Sequence, residues 1–408
     1  MIVLSGAALV LPDRILSPGT LVIDEGVIVD VRPDAPPAGS SSPFAFHGHY
    51  IVPGFIDVHV HGVDGVDSLD ARPGRGAVAA IAERLPRYGV TAFCPTTVAC
   101  APAALRGVLD QVRRAREAPA PRSARVLPAH LESNFINPAY NGAQPSACLR
   151  SPRAALVGDG AEGDDFTAAE ILGEIERAAP DVGIVTLAPE LDGGLDLVRW
   201  LVGRGHRVSL GHSAATYDEA LDAIAAGARH ATHLFNRMPP LGHRAPGLAG
   251  AVLQTDEVAA EIICDGVHVH PALVRTAVAA KRPSRVFAIT DATAAAGLPV
   301  GAHARLGGRT ITAGETTALL EDGTIAGSLL TMDRAFQCLV SRVGLSVVDA
   351  ATVCSTTAAR ELGLVGHGVL APGAAADLVV LDGQFSVVQT YVGGQLVYTR
   401  NTPGTPSV

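Results

Sequence analysis

Lysine is almost absent from this 408-residue chain: of 31 basic residues, 30 are Arg and one is Lys281. In so Ala- and Gly-rich a sequence, that bias reads as genomic base composition. Cysteine is scarce too. Cys94, Cys100, Cys148, Cys264, Cys338 and Cys354 include no C-x-x-C pair, so neither a zinc knuckle nor a disulfide framework is indicated, and a reducing cytoplasm is the expected compartment. No stretch of about 18 uncharged apolar residues occurs, so no membrane span is expected. The apolar start, residues 1–11, has no basic segment before it and runs into Pro12-Asp13-Arg14, so it reads as a strand rather than a signal peptide. Basic charge is in deficit, 31 against 40 acidic residues for a net −9. That argues against nucleic acid or an anionic membrane as partner and leaves room only for a local basic pocket. Charged residues reach 17% against 48% apolar, a balance that excludes a disordered chain.

What is present falls into two textures. Residues 1–31 and 378–398 carry short apolar strands broken by Gly and Asp, which suggests a small β-sandwich built from both chain ends. A Pro/Ala/Gly/Ser-rich loop spans 33–42, and residues 401–408 read as a tail. Between the ends, eight apolar runs (51–60, 90–96, 126–131, 183–188, 208–211, 230–235, 260–264 and 286–290) alternate with helical stretches at 77–88, 102–115, 168–179, 195–203, 217–226 and 271–281. The runs are nearly continuous rather than alternating, as parallel strands covered on both faces should be. Eight such units give the arithmetic of an α/β fold, a (β/α)8 TIM-type barrel. A doubly wound sheet is the competitor, but no G-x-G-x-x-G follows the first strand. The expected domains are 1–52 with 370–400 as the sandwich and 53–369 as the barrel.

The strand ends carry the chemistry. His59 and His61, then Glu132, His212, His233, Asp265 with His268, and Asp291 all stand where strands should finish. In a barrel these ends converge on one mouth. His59 and His61, two apart on a strand, point the same way, and two imidazoles beside a carboxylate suit zinc or iron, with manganese less favoured. Asp291 ends the eighth run and is placed as general base and then general acid. His130 shares the face of Glu132 one layer deeper and reads as structural, and His230 reads as packing.

These motifs resemble the amidohydrolase superfamily, and within it the N-acetylglucosamine-6-phosphate deacetylase family. Pro53-Gly54-Phe55-Ile56-Asp57-Val58-His59-Val60-His61-Gly62 is similar to the superfamily's first-strand motif. His130-Leu131-Glu132, Leu210-Gly211-His212-Ser213, His233-Leu234-Phe235-Asn236-Arg237-Met238-Pro239, Arg244-Ala245-Pro246-Gly247, Asp265-Gly266-Val267-His268, Thr290-Asp291-Ala292 and Ala326-Gly327-Ser328 follow in family order. The resemblance implies one or two divalent metal ions held by Glu132, His212 and His233, with His59 and His61 offering a second position. It implies Asp291 as the proton carrier, His268 orienting substrate, and Ala143, Gln144, Asn236, Arg237, Arg244, Ala326 and Gly327 around a phosphorylated amino sugar. It also implies a homodimer, because the family's counterpart of Arg244 reaches the partner subunit's site. Three departures stand out: Ser133-Asn134 where the family has Gly-Pro, Gln144 where it has a sugar-contacting His, and Arg237 where it has a small residue. All three are expected at the substrate pocket, and they leave open another acidic N-acyl amino sugar such as N-acetylgalactosamine 6-phosphate. A non-catalytic barrel is the remaining alternative, disfavoured because every metal and proton-transfer position is filled.

Overall fold

Phe55–Val60, the first strand of the central sheet, has all six side chains buried, and Val90–Thr97, the second, all eight. Strands this apolar must be covered on both faces. In the computed structural model, which describes residues 1–34, 45–70, 76–158 and 165–400, helices such as Pro102–Glu117 and Ala168–Arg177 supply the outer cover. Ala129–Glu132, Val182–Leu187, Arg207–Leu210, His230–Ala231, Ala259–Ile263 and Val286–Ile289 complete a run of eight parallel strands in chain order. The ring closes where the Asp291 N–H donates to the His59 carbonyl at 2.8 Å and Val60 bridges Ala292. The result is the (β/α)8 barrel expected from the alternation. All six predicted helices form, with ends within a few residues of those read from sequence. Residues 401–408 and 35–42 of the proline-rich loop lie outside the described residues.

The apolar run 51–60 does not continue as one strand. Gly54 divides it: Tyr50–Pro53 belongs to the terminal sheet and Phe55–Val60 to the barrel. A Cβ at Gly54 would stand 2.2 Å from Thr91 Oγ1, so only glycine lets the chain pass there. The chain ends form one seven-stranded sheet ordered Gln395–Thr399, Val387–Val392, Leu378–Leu381, Tyr50–Pro53, Ile2–Val10, Ile15–Asp24, Val27–Pro33. Ile28 and Tyr391 sit near opposite ends of that order yet share one apolar cluster with Leu4, Leu21 and Leu378, so the sheet folds over its own core. Asp377 fastens it to the barrel, accepting from Arg125 Nε at 3.0 Å and Nη2 at 3.1 Å.

Among the elements with no counterpart in the sequence reading, one stands beside the site. After the eighth strand the chain makes a four-stranded antiparallel sheet, His303–Leu306, Arg309–Ala313, Thr317–Leu320 and Ile325–Ser328. Its core of Leu306, Ile311 and Ala318 packs with Val98 and Ala295 beside the barrel mouth.

Candidate active site

Four imidazoles and two carboxylates converge at the strand ends. Glu132 Oε1 lies 2.8 Å from His212 Nε2 and 3.0 Å from His233 Nε2, and Glu132 Oε2 lies 3.4 Å from His61 Nε2. Asp291 Oδ1 is 3.2 Å from His61 Nε2 and 3.5 Å from His59 Nε2. All six side chains are buried. His212, His233 and Asp291 hold φ of +48°, +31° and +48°, a region that costs a non-glycine residue about 1–3 kcal/mol and recurs at functional sites. Burial pushes the Glu132 carboxyl up, but His212, His233 and His61, when their rings carry a second proton, together outweigh it and hold the group well below the usual carboxylate range. Asp291 is lowered in the same way by His59 and His61 against its burial.

With every ring neutral, the protons do not suffice to join these groups to one another. His212 Nδ1 faces the Tyr140 carbonyl at 2.7 Å, so Nδ1 carries the hydrogen and a neutral ring presents a bare lone pair at Nε2. That lone pair meets the Glu132 carboxylate, and His233 Nε2 at 3.0 Å. His59 repeats the pattern: Nδ1 donates to Glu261 Oε2 at 3.0 Å, leaving Nε2 to face His61 Nε2 at 3.3 Å. Lone pairs aimed at lone pairs and carboxylates are a donor set for a cation, and imidazole with carboxylate suits a divalent transition metal. Glu132, His212 and His233 form one candidate triad, and His59, His61 and Glu132 another. Glu261 escaped the sequence reading. It is the one charged side chain in the buried strand Ala259–Ile263, and that isolation was the available signal. It fixes the His59 tautomer, as carboxylates commonly do for metal-binding histidines.

A cavity of about 470 Å³ opens above the cluster, lined by His61, Glu132, His212, His233 and Asp291 at its floor. Of the expected substrate residues, Ala143, Gln144, Asn236, Arg237, His268 and Gly327 line it. His268 Nδ1 donates to Asp265 Oδ2 at 2.6 Å, while its buried Nε2 has no partner among the described residues; that nitrogen is free to accept from a substrate hydroxyl. Arg237 makes no ion pair among the described residues, and Asp265 is engaged by His268 instead. A Cβ on Gly142 would stand 2.6 Å from Arg237 Nε, so the guanidinium lies across that glycine, whose φ is +61°. Phe235, Tyr140, Leu306 and Ile325 also line the cavity. Leu306 and Ile325 come from the four-stranded sheet, which no local pattern announced.

Several expectations need correction. Ala326 is fully buried in the core of the small sheet and does not line the cavity, because strand alternation turns it away from Gly327. Arg244, expected to serve a partner subunit's site, is exposed on the loop before the helix Gly247–Gln254 and does not line the cavity of its own chain. Ser133 and Asn134 are not at the pocket either. Ser133 Oγ donates to the Thr186 carbonyl, and Asn134 Nδ2 donates to the carbonyls of Cys100 at 2.8 Å and Cys148 at 2.7 Å, so both brace the loop after the third strand. His130 is structural as expected, bonded to the Val58 carbonyl at 2.9 Å and Thr186 Oγ1 at 2.7 Å.

The amidohydrolase family pattern matches residues 50–397, and the chain belongs to that family. Within it, the chain is similar to N-acetylglucosamine-6-phosphate deacetylases and also to the N-acetylgalactosamine-6-phosphate deacetylase of Escherichia coli O157:H7, which is 34% identical over 347 residues, covering 85% of this chain and 87% of its own. The N-acetylglucosamine-6-phosphate deacetylase of Bacillus subtilis (strain 168) is 33% identical over 395 residues, covering 96% of each chain. That of Homo sapiens is 37% identical over 394 residues, covering 94% of this chain and 90% of its own. Among solved structures, a mutant N-acetyl-D-glucosamine-6-phosphate deacetylase from Mycobacterium smegmatis in complex with N-acetyl-D-glucosamine-6-phosphate superposes with a TM-score of 0.86 at 32% identity, covering 98% of this chain and 99% of its own.

Proposed function

We propose that this chain hydrolyses the N-acetyl amide of N-acetylglucosamine 6-phosphate to acetate and glucosamine 6-phosphate. The observation that carries the reading is the set of four imidazole Nε2 atoms turned onto Glu132 and Asp291 beneath a sugar-sized cavity. Glu132, His212 and His233 hold a divalent metal, and His59 and His61 with Glu132 offer a second position. Zinc or iron fits these ligands best, with manganese a weaker fit. Bound there, the metal supplies Lewis acidity toward the acyl carbonyl and toward water. Asp291 takes the proton of the attacking water and delivers it to the leaving amine nitrogen. His268 Nε2 accepts from a sugar hydroxyl and holds the ring in register. Arg237 and Asn236 meet the phosphate end, the guanidinium supplying the local positive charge that a net-acidic chain otherwise lacks.

The chain works as a homodimer in the cytoplasm on this reading. The exposed Arg244, which does not line its own cavity, would serve that of a second copy. Six free cysteines suit a reducing compartment. No helix among the described residues is long and apolar enough to cross a membrane.

The test is turnover by metal-loaded protein on N-acetylglucosamine 6-phosphate, its unphosphorylated form and N-acetylgalactosamine 6-phosphate. The first should have the highest kcat/KM, and removing the phosphate should cost roughly 2–4 kcal/mol, the scale of losing a buried charged pair. A higher kcat/KM on the galacto epimer would overturn the sugar assignment. Equal rates with and without phosphate would overturn the anion site.

A further inference from the structure

We propose that Gln144 is a positioning residue for the metal-holding carboxylate of Glu132 and not a contact to the sugar. The inference rests on the metal-site reading above. Although Gln144 borders the cavity, it is only 4% exposed and both ends of its carboxamide are occupied. Its Oε1 accepts from the Ala99 N–H at 2.7 Å, and its Nε2 donates to Glu132 Oε2. This orientation is the only one that works: turned over, the amide would set an NH2 against an N–H and a carbonyl against a carboxylate.

The amide is held from both sides. Ala99 stands two residues past the end of the second barrel strand, so Oε1 is tied to the barrel itself. The Gln144 backbone is fixed by its N–H to the Asn141 carbonyl at 3.0 Å and by Asn141 Nδ2 to its own carbonyl at 3.0 Å. Arg309 Nη1, from the four-stranded sheet, holds the Ala143 carbonyl at 2.9 Å. Glu132 thereby receives a directed hydrogen bond on Oε2, while Oε1 faces His212 and His233. A carboxylate oxygen has two lone pairs, so Oε2 can accept from Gln144 and still face His61. The hydrogen bond fixes the plane of the carboxylate, with Oε1 toward His212 and His233 and Oε2 toward His61. Partners of this kind are worth about 10–100-fold in metal affinity. Each end of the amide is committed to a protein partner and only the second N–H hydrogen remains for the cavity, so discrimination among sugars falls mainly to other residues.

The test compares Q144L with wild type in two measurements that do not share a readout. Metal content and the rate of metal loss to a chelator are followed with a chromogenic indicator, and KM and kcat are measured at saturating metal. Q144L should lose metal at least about tenfold faster than wild type, with KM for the phosphorylated sugar within about twofold. Melting of both metal-free proteins confirms the fold, and Q144A provides the same comparison if Q144L does not fold. Unchanged metal retention with a tenfold or greater rise in KM would overturn the proposal and make Gln144 a sugar contact. A wild-type protein that takes up no divalent metal would overturn the metal-site reading itself, which is a different outcome.

Discussion

Two layers of polar side chains cross the barrel interior, one at the mouth and one directly beneath it, and they are built from similar residues. In the lower layer, hydroxyl hydrogens pass along one line. Ser209 Oγ and Thr232 Oγ1 are 2.6 Å apart, Thr232 and Thr186 are 2.7 Å apart, and Thr186 Oγ1 meets His130 Nε2 at 2.7 Å. His130 Nδ1 closes the line on the Val58 carbonyl. Each hydrogen in that line has an acceptor, and burial lowers the His130 pKa to about 4, so the ring is neutral. In the upper layer the same imidazoles spend their one hydrogen outward, on the Tyr140 carbonyl and on Glu261. Their remaining nitrogens are turned toward the carboxylates of Glu132 and Asp291. His59 and His130 stand with ring centroids 4.6 Å apart, so distance does not separate the roles. What separates them is where each ring's hydrogen goes. A closed hydrogen-bond line stabilises the fold, whereas an open set of lone pairs recruits a cation.

The sharpest way to break this comparison is at Glu132, which both metal positions share. Glu132→Gln should abolish tight metal binding and activity together, read by metal analysis and turnover. Asp291→Asn should keep the fold and most of the metal while turnover falls by about two to four orders of magnitude, and the acidic limb of the pH–rate profile should vanish. Retained turnover with lost metal would make Asp291 a ligand instead. A paired substitution tests the layers against each other. His130→Leu leaves the Val58 carbonyl and Thr186 hydroxyl unpaired and should lower stability by about 1–3 kcal/mol in denaturant melts while metal content is kept. His212→Leu should do the reverse, stripping metal with a smaller change in metal-free stability.

The last expected effect is nil at neutral pH and grows only on acidification. His230 packs edge-on against Phe287, with ring centroids 5.4 Å apart, and burial lowers its pKa to about 3 from the usual 6.5. The unfolded chain therefore binds a proton that the folded chain refuses between those values, and this residue's contribution makes stability fall as pH drops from 6.5 toward 3. His230→Gln should flatten the slope of stability against pH across that window and leave it unchanged above pH 7.

Much of the fold could be read before any coordinates. Near-continuous apolar runs told parallel strands from alternating ones, and Ala/Leu/Arg stretches between them became helices. The small sheet at 303–328 was not legible. Its strands are only four or five residues long and half-exposed, so neither length nor periodicity set them apart from loop. The Gly54 break was hidden for a similar reason: one apolar run serves two sheets, and only packing against Thr91 distinguishes the halves.

For the site, the sequence by itself determined the residues at the strand ends. A barrel converges its strand ends, and the two-residue period of a strand turns His59 and His61 the same way. Only the tertiary structure decided what each of these groups meets. Glu261 stands 202 positions from His59, and nothing local links them. Gln144 reaches Glu132 because a loop braced by Asn141 and Arg309 carries it inward. Ser133 and Asn134, in contrast, turn away to brace a loop. Arg244 stands exposed on the loop before Gly247–Gln254, and it does not line the cavity of its own chain. Side-chain direction at these positions depends on hydrogen bonds between segments far apart in the chain, and a pattern of period two or 3.6 holds no information about them.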